Sequence, residues 1–176
     1  MRDDDLVPFE EIEDQLPPIP KELLSAYEEG PFKTCSYCSR DLAEVPFPHT
    51  VEKVFRGTET IVEFALCIPC IQSLRRELSK ESLQAMDRFV KNRFPPPEDD
   101  TCLGCRKPRA ELKSYKLSGL CGGGRLLLPE VVMICEECAE TVAEQLSQKT
   151  RDRLDDFRKD VLDLFPDGLV IEPIVM

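Results

Sequence analysis

Four Cys-x-x-Cys pairs constrain this chain more than any other feature. They are Cys35/Cys38, Cys67/Cys70, Cys102/Cys105 and Cys135/Cys138, and they hold eight of the nine cysteines among 176 residues. The pairs are spaced as a repeat. Cys35 to Cys102 and Cys38 to Cys105 are each 67 positions apart, and Cys67 to Cys135 and Cys70 to Cys138 are each 68 apart. The frame continues beyond the cysteines at the longer offset. Leu78-Ser79 answers Leu146-Ser147, Asp87 answers Asp155, Phe89 answers Phe157, and Lys91 answers Lys159. Apolar character is also kept between Leu74 and Val142, and between Met86 and Leu154.

Cysteines clustered in such pairs read as metal knuckles rather than as a disulfide framework. A tight turn lets two sulfurs reach one ion, and two such turns complete the tetrahedral, thiolate-rich shell that Zn²⁺ prefers. We therefore expect two structural Zn²⁺ ions. One sits on Cys35, Cys38, Cys67 and Cys70, the other on Cys102, Cys105, Cys135 and Cys138. An iron–sulfur cluster would use the same ligands. A cross-braced pairing, first pair with third and second with fourth, is the other way to distribute them. A duplicated unit brings its own four ligands, which favours sequential pairing.

Between the pairs the pattern is that of β-hairpins. Val51 to Phe55 and Ile61 to Leu66 are β-branched and aromatic, with Arg56-Gly57-Thr58-Glu59 as the turn. In the second copy Leu117 to Leu120 and Val131 to Ile134 are the strand candidates, and Gly122-Gly123-Gly124 marks the bend. After each second pair the apolar period becomes helical: Ile71, Leu74 and Leu78, then Val142 and Leu146. Cys70 and Cys138 thus fall in the first turn of a helix, where free N–H groups favour thiolate. A second helical stripe follows in each copy. One runs through Met86, Phe89, Val90 and Phe94, the other through Leu154, Phe157, Val161, Leu164 and Phe165, with Ser79 and Ser147 placed to cap or kink the junctions. These stripes pack on their own hairpins, pack across the two units, or face a partner.

Knuckle, hairpin, then a helix carrying the last two ligands resembles the treble-clef class of zinc domains over residues 35–78 and 102–146. The expected fold is α+β: two tandem, zinc-stabilised, treble-clef-like units related by an internal repeat. Residues 1–30 are an acidic leader, with ten acids against Arg2 and Lys21 and a short helix opened by proline over Lys21 to Tyr27. Residues 31–97 are the first unit, 98–166 the second, and 167–176 an apolar tail. Units of this size hold little core, so metal acts as the staple.

Charge and composition narrow the function. The formal net charge is −11, and loading two Zn²⁺ on eight thiolates takes it to about −15. Such a chain repels a phosphate backbone unless basic charge is concentrated locally. One candidate concentration is Arg106, Lys107, Arg109, Lys113 and Lys116 around the second knuckle. The bland reading is a rim that balances the thiolates. His49 is the single histidine, and no His-based triad, His-Glu-x-x-His or deaminase motif surrounds it. Cys121, outside the pairs, reads as a small strand residue more than as a reactive thiol. No secretory or transit signal and no apolar run long enough to span a membrane is legible. The expectation is a cytoplasmic, non-enzymatic zinc-binding protein that works as a protein-interaction or regulatory module, with no small-molecule substrate evident. A nucleic-acid-binding regulator using the basic rim stands second, and a redox-responsive zinc protein third.

Overall fold

The computed structural model describes residues 15–43, 48–93, 100–128 and 131–161. The far leader, the proline run at 95–97, Phe94, Leu164, Phe165 and the apolar tail lie outside the described residues.

The first hairpin pairs β1 (His49–Arg56) with β2 (Glu59–Cys67). Gly57, at φ 60°, makes the turn that L side chains resist. After β2 the chain enters α1 (Ile68–Glu77) and then α2 (Lys80–Lys91). The second copy repeats this order with one change. β3 (Ser114–Gly122) turns through Gly123 and Gly124, both at positive φ, into β4 (Arg125–Leu126). The return then breaks before β5 (Val132–Cys135), so that β4 and β5 both pair with β3. α3 (Glu136–Ala143) and α4 (Gln148–Val161) complete the order.

The two hairpins form one sheet. β1 pairs with β3 along its whole length, from His49 opposite Cys121 to Arg56 opposite Ser114, in an antiparallel ladder. A five-stranded antiparallel sheet results, running β2-β1-β3 and then β4 and β5. Both faces are covered, which is why β1 and β3 are buried almost throughout and do not alternate. The face bearing Phe64 meets the helices, where the Phe64 and Phe157 rings stand edge to face. The opposite face bears Val51, Lys53 and Gly119 and meets the segment before the first knuckle. Leu23 packs there so closely that a Cβ on Gly119 would come 2.5 Å from its Cδ1. The expected helix over Lys21 to Tyr27 is a single 3-10 turn, Lys21–Leu23, opened by Pro20. It stops there because Ser25 turns back to bridge Gly30.

Each face buries an ion pair. Lys53 Nζ lies 2.8 Å from Glu63 Oε2 and donates to the Leu24 carbonyl at 2.7 Å. Glu63 also accepts from the Ser25 hydroxyl and the Ala26 N–H, which fixes the N-terminal segment to the sheet. On the helix face Lys116 Nζ lies 3.0 Å from Glu52 Oε2, linking the two copies. Burial pushes the Glu52 carboxyl up and Lys116 offsets only part of this. Glu63 is also raised by burial, but Lys53, the Ala26 N–H and the Ser25 hydroxyl outweigh it and hold it below its ordinary value.

The helix junctions interlock. Ser79 caps α2 by accepting from the Ser82 N–H at 3.2 Å, and Ser147 accepts from the Thr150 N–H at 3.3 Å. Each cap then reaches across. The Ser79 N–H donates to Thr150 Oγ1 at 3.0 Å, and the Ser147 N–H donates to Ser82 Oγ at 2.9 Å. These two bonds are one bond repeated, since Ser147 and Thr150 are the counterparts of Ser79 and Ser82 at the repeat offset. Ser147 Oγ also donates to Ser79 Oγ at 3.0 Å, where the copies meet.

Candidate metal centres

Each cluster begins as a knuckle. The Cys35 N–H donates to the Arg40 carbonyl and the Ser39 N–H to the Cys35 carbonyl, both at 2.8 Å. The second copy repeats this with Cys102 to Lys107 at 2.8 Å and Arg106 to Cys102 at 2.9 Å. The turn closes on a left-handed residue, Ser39 at φ 58° and Arg106 at φ 64°. Non-glycine residues seldom sit there, and the same strained position occurs in both copies. Each knuckle joins its own hairpin by a backbone bond, Ser36 to Ala65 at 2.8 Å and Leu103 to Met133 at 2.7 Å.

The other two sulfurs come from a strand end and a helix start. Cys67 ends β2 and is the N-cap of α1, with Cys70 in the first turn. Cys135 ends β5 and is the N-cap of α3, with Cys138 in the first turn. The sequence-predicted sets therefore assemble sequentially: Cys35, Cys38, Cys67 and Cys70 in one group, and Cys102, Cys105, Cys135 and Cys138 in the other. Within each group all four sulfurs lie within 4.8 Å of one another. The Cys35–Cys70, Cys38–Cys67 and Cys105–Cys135 separations are 3.9, 3.8 and 3.8 Å. Four sulfurs at about 2.3 Å from a tetrahedral zinc stand about 3.8 Å apart. The residues present fit that ion.

The electrostatics of the thiols point the same way. Burial raises the Cys35 thiol, but N–H groups of Cys67, Cys38 and Tyr37 outweigh it and bring it to about 7. Burial acts likewise on Cys102, where the N–H groups of Cys105, Cys135 and Gly104 prevail and lower it. Two of these donors are seen directly, Cys67 N to Cys35 Sγ at 3.4 Å and Cys135 N to Cys102 Sγ at 3.2 Å. The other buried thiols go up. Cys67 and Cys70 are raised by burial first and then by charge on Cys35 and crowding sulfurs. Burial raises Cys135 to about 11, and raises Cys138 with help from charge on Cys102. The fold thus favours the thiolate at Cys35 and Cys102 relative to an ordinary cysteine and disfavours it at Cys67, Cys70, Cys135 and Cys138. A cation among the sulfurs would offset the burial that opposes those thiolates.

Each knuckle is met by an aromatic ring from the other copy, while Cys38 and Cys105 stay exposed. Tyr37 of the first knuckle lies against Phe157 of α4, with ring centroids 5.7 Å apart. At the second knuckle Gly104 stands where Tyr37 stands in the first. A Cβ there would come 3.1 Å from Phe89 Cζ of α2 and 2.4 Å from Cys138 Sγ. The apolar stripes of α2 and α4 thus pack across the two copies. Packing across the two units is one of the three arrangements the sequence left open, because a helix's periodicity says which face is buried and not against what.

The remaining candidates are placed as follows. Cys121 is fully buried on β3 and burial alone pushes its thiol up to about 12, the environment of an inert small residue. His49 is buried at the start of β1, opposite Cys67 and Cys121. Four of the five basic residues near the second knuckle are engaged within the fold, Arg106 with the Arg93 carbonyl and the other three with acids. Lys116 is buried against Glu52, Lys107 pairs with Glu137 at 2.9 Å, and Arg109 pairs with Asp100 at 2.6 Å. None of the nine cysteines is in a disulfide. No described helix is long and apolar enough to cross a membrane. No protein-family description, no curated protein and no solved structure matches the chain.

Proposed function

We propose that the protein is a non-enzymatic structural zinc-binding protein, loaded with two Zn²⁺ ions, that works as a protein-interaction or regulatory module. The observation that carries this is closure. Each cluster offers four cysteine sulfurs within 4.8 Å of one another, which fills a tetrahedral zinc and leaves no position for water or substrate. Zinc would supply the positive charge that lets the buried thiols ionise together. The knuckle, the hairpin and the helix that brings in Cys70 or Cys138 support a treble-clef-like assignment for each copy. Eight ligand thiols need a reducing compartment, and we therefore place the protein in the cytosol.

The acidic balance and the internal pairing of Lys107, Arg109 and Lys116 support a protein partner over a nucleic acid. Gel-shift with short DNA and RNA at low and moderate salt tests that choice. The expected result is no salt-sensitive complex, and a complex that weakens steeply with salt would transfer the reading to a nucleic-acid-binding regulator. Chelation under reducing conditions tests the metal role. Loss of the folded circular dichroism spectrum is expected, and a spectrum unchanged after complete metal removal would overturn it.

A further inference from the structure

The exchanged helices have a thermodynamic consequence. The first cluster is built from residues 35–70, but Tyr37 of its knuckle packs against Phe157, whose helix α4 belongs to the second copy. The second cluster is built from residues 102–138 but meets Phe89, whose helix α2 belongs to the first. Phe89 and Phe157 are counterparts in the repeat, so the same exchange occurs twice. Further contacts follow it. The Arg106 guanidinium of the second knuckle donates to the Arg93 carbonyl just beyond α2, at 3.0 Å. The Arg93 guanidinium lies 4.1 Å over the Phe89 ring. Arg153 of α4 lies beside Tyr37 and pairs with Glu77 of α1 at 2.6 Å. The crossed serine bonds at 2.9 and 3.0 Å tie the starts of α2 and α4 together.

We propose that the two metal sites form one cooperative unit, in which Phe89 and Phe157 are positioning residues for the metal of the opposite repeat. A metal ion on the first cluster orders α1, because Cys67 and Cys70 cap and open that helix. α1 leads through the Ser79 cap into α2, which carries Phe89 to the second knuckle. A metal ion on the second cluster returns the effect through α3, the Ser147 cap, α4 and Phe157. Each site thereby orders the helix that packs on the other's knuckle, and linkage requires the coupling to be equal in both directions. This rests on the reading that both clusters bind zinc.

Two experiments on the full chain test it. The first is titration of the reduced, metal-free protein with zinc sulfate, followed by native mass spectrometry. Independent sites put about half of the molecules in the one-zinc form at half-saturation if their affinities are equal, and more than half if they are not. A tenfold coupling lowers that to about a quarter. The second locates the effect by labelling zinc-loaded protein with N-ethylmaleimide and mapping the modified peptides. Phe89→Leu should speed labelling of Cys102, Cys105, Cys135 and Cys138, and Phe157→Leu that of Cys35, Cys38, Cys67 and Cys70. The corresponding alanine variants should give larger effects in the same crossed sense, by about tenfold or more. Should the alanine variants lose all structure, the leucine pair decides. A crossed labelling pattern with a depleted one-zinc form sustains the proposal. Faster labelling in the variant's own repeat, or a one-zinc form populated to half or more, overturns it. If the unsubstituted protein takes up fewer than two zinc ions, the reading of the sites fails instead.

Discussion

The first cluster opens its helix on Ile68, Pro69 and Cys70, whereas the second opens on Glu136, Glu137 and Cys138. The first therefore places no carboxylate in the turn that holds its thiols, and the second places two. Two acids suit a helix N-terminus but stand beside sulfurs that must also be negative. Lys107 answers them from the knuckle, 2.9 Å from Glu137. The first knuckle instead carries Tyr37 under Phe157, where the second carries only Gly104. The ligand frame is thus common to both copies while its surroundings differ, apolar and aromatic at one and charged and close-packed at the other. The repeat fixes how sulfurs are delivered, and local charge and volume set how firmly each cluster is held.

The largest effect should come from the frame itself. Cys67→Ser and Cys135→Ser each remove a buried ligand, and structural zinc is worth on the order of 10–16 kcal/mol in small domains. We expect either variant to lose the folded near-ultraviolet and amide spectra of both copies. A variant that keeps one copy fully folded would break the equivalence drawn above.

Next come the buried charges. Lys116→Met leaves Glu52 buried without its cation and should cost about 3–5 kcal/mol in urea unfolding of the zinc-loaded protein. The two glutamates should respond to pH with opposite sign. Glu63 is held below its ordinary value, so its contribution is present at neutral pH and is lost as pH falls through its depressed value. Glu52 is raised, so its protonated form favours the fold and the favour is lost as pH rises. At pH 7, Glu63→Gln should therefore destabilise the protein more than Glu52→Gln, by comparison of urea midpoints.

Gly104→Ala sharpens the difference between the knuckles. The new methyl group would meet Cys138 Sγ at 2.4 Å. Such overpacking costs about 1–3 kcal/mol, and it should raise zinc loss to a chromogenic chelator. Tyr37→Gly should leave the sulfur geometry of the first cluster intact and slow chelator attack less than the intact aromatic contact does. The smallest change should come from the caps. Ser79→Ala and Ser147→Ala should each cost about 1 kcal/mol, equally in the two copies. The double variant should cost less than their sum, because the hydroxyls share one network.

Much of this was legible in the sequence, and the limits have physical causes. The eight cysteines, both hairpins and the helix starts at Cys67 and Cys135 follow from spacing and period. The ladder between β1 and β3 does not. An outer strand of a hairpin carries no mark of which strand it will join, and nothing local tells that Glu52 and Lys53 will be buried. Both are buried because each points to an opposite face and finds an ion-pair partner there. Ser79 and Ser147 were visible as caps, but hydroxyls that cap their own helix while accepting from another leave no local signature. The left-handed Ser39 and Arg106 were equally silent, since glycine would have announced the turn and neither copy uses it.

Each copy brings its own four sulfurs together, and we expect each set to hold one metal ion. Native mass spectrometry of the reduced protein, purified without chelator, decides this. The expected mass is that of the chain plus two zinc ions, with eight protons displaced and no sulfide. One zinc, none, or iron with inorganic sulfide would contradict it.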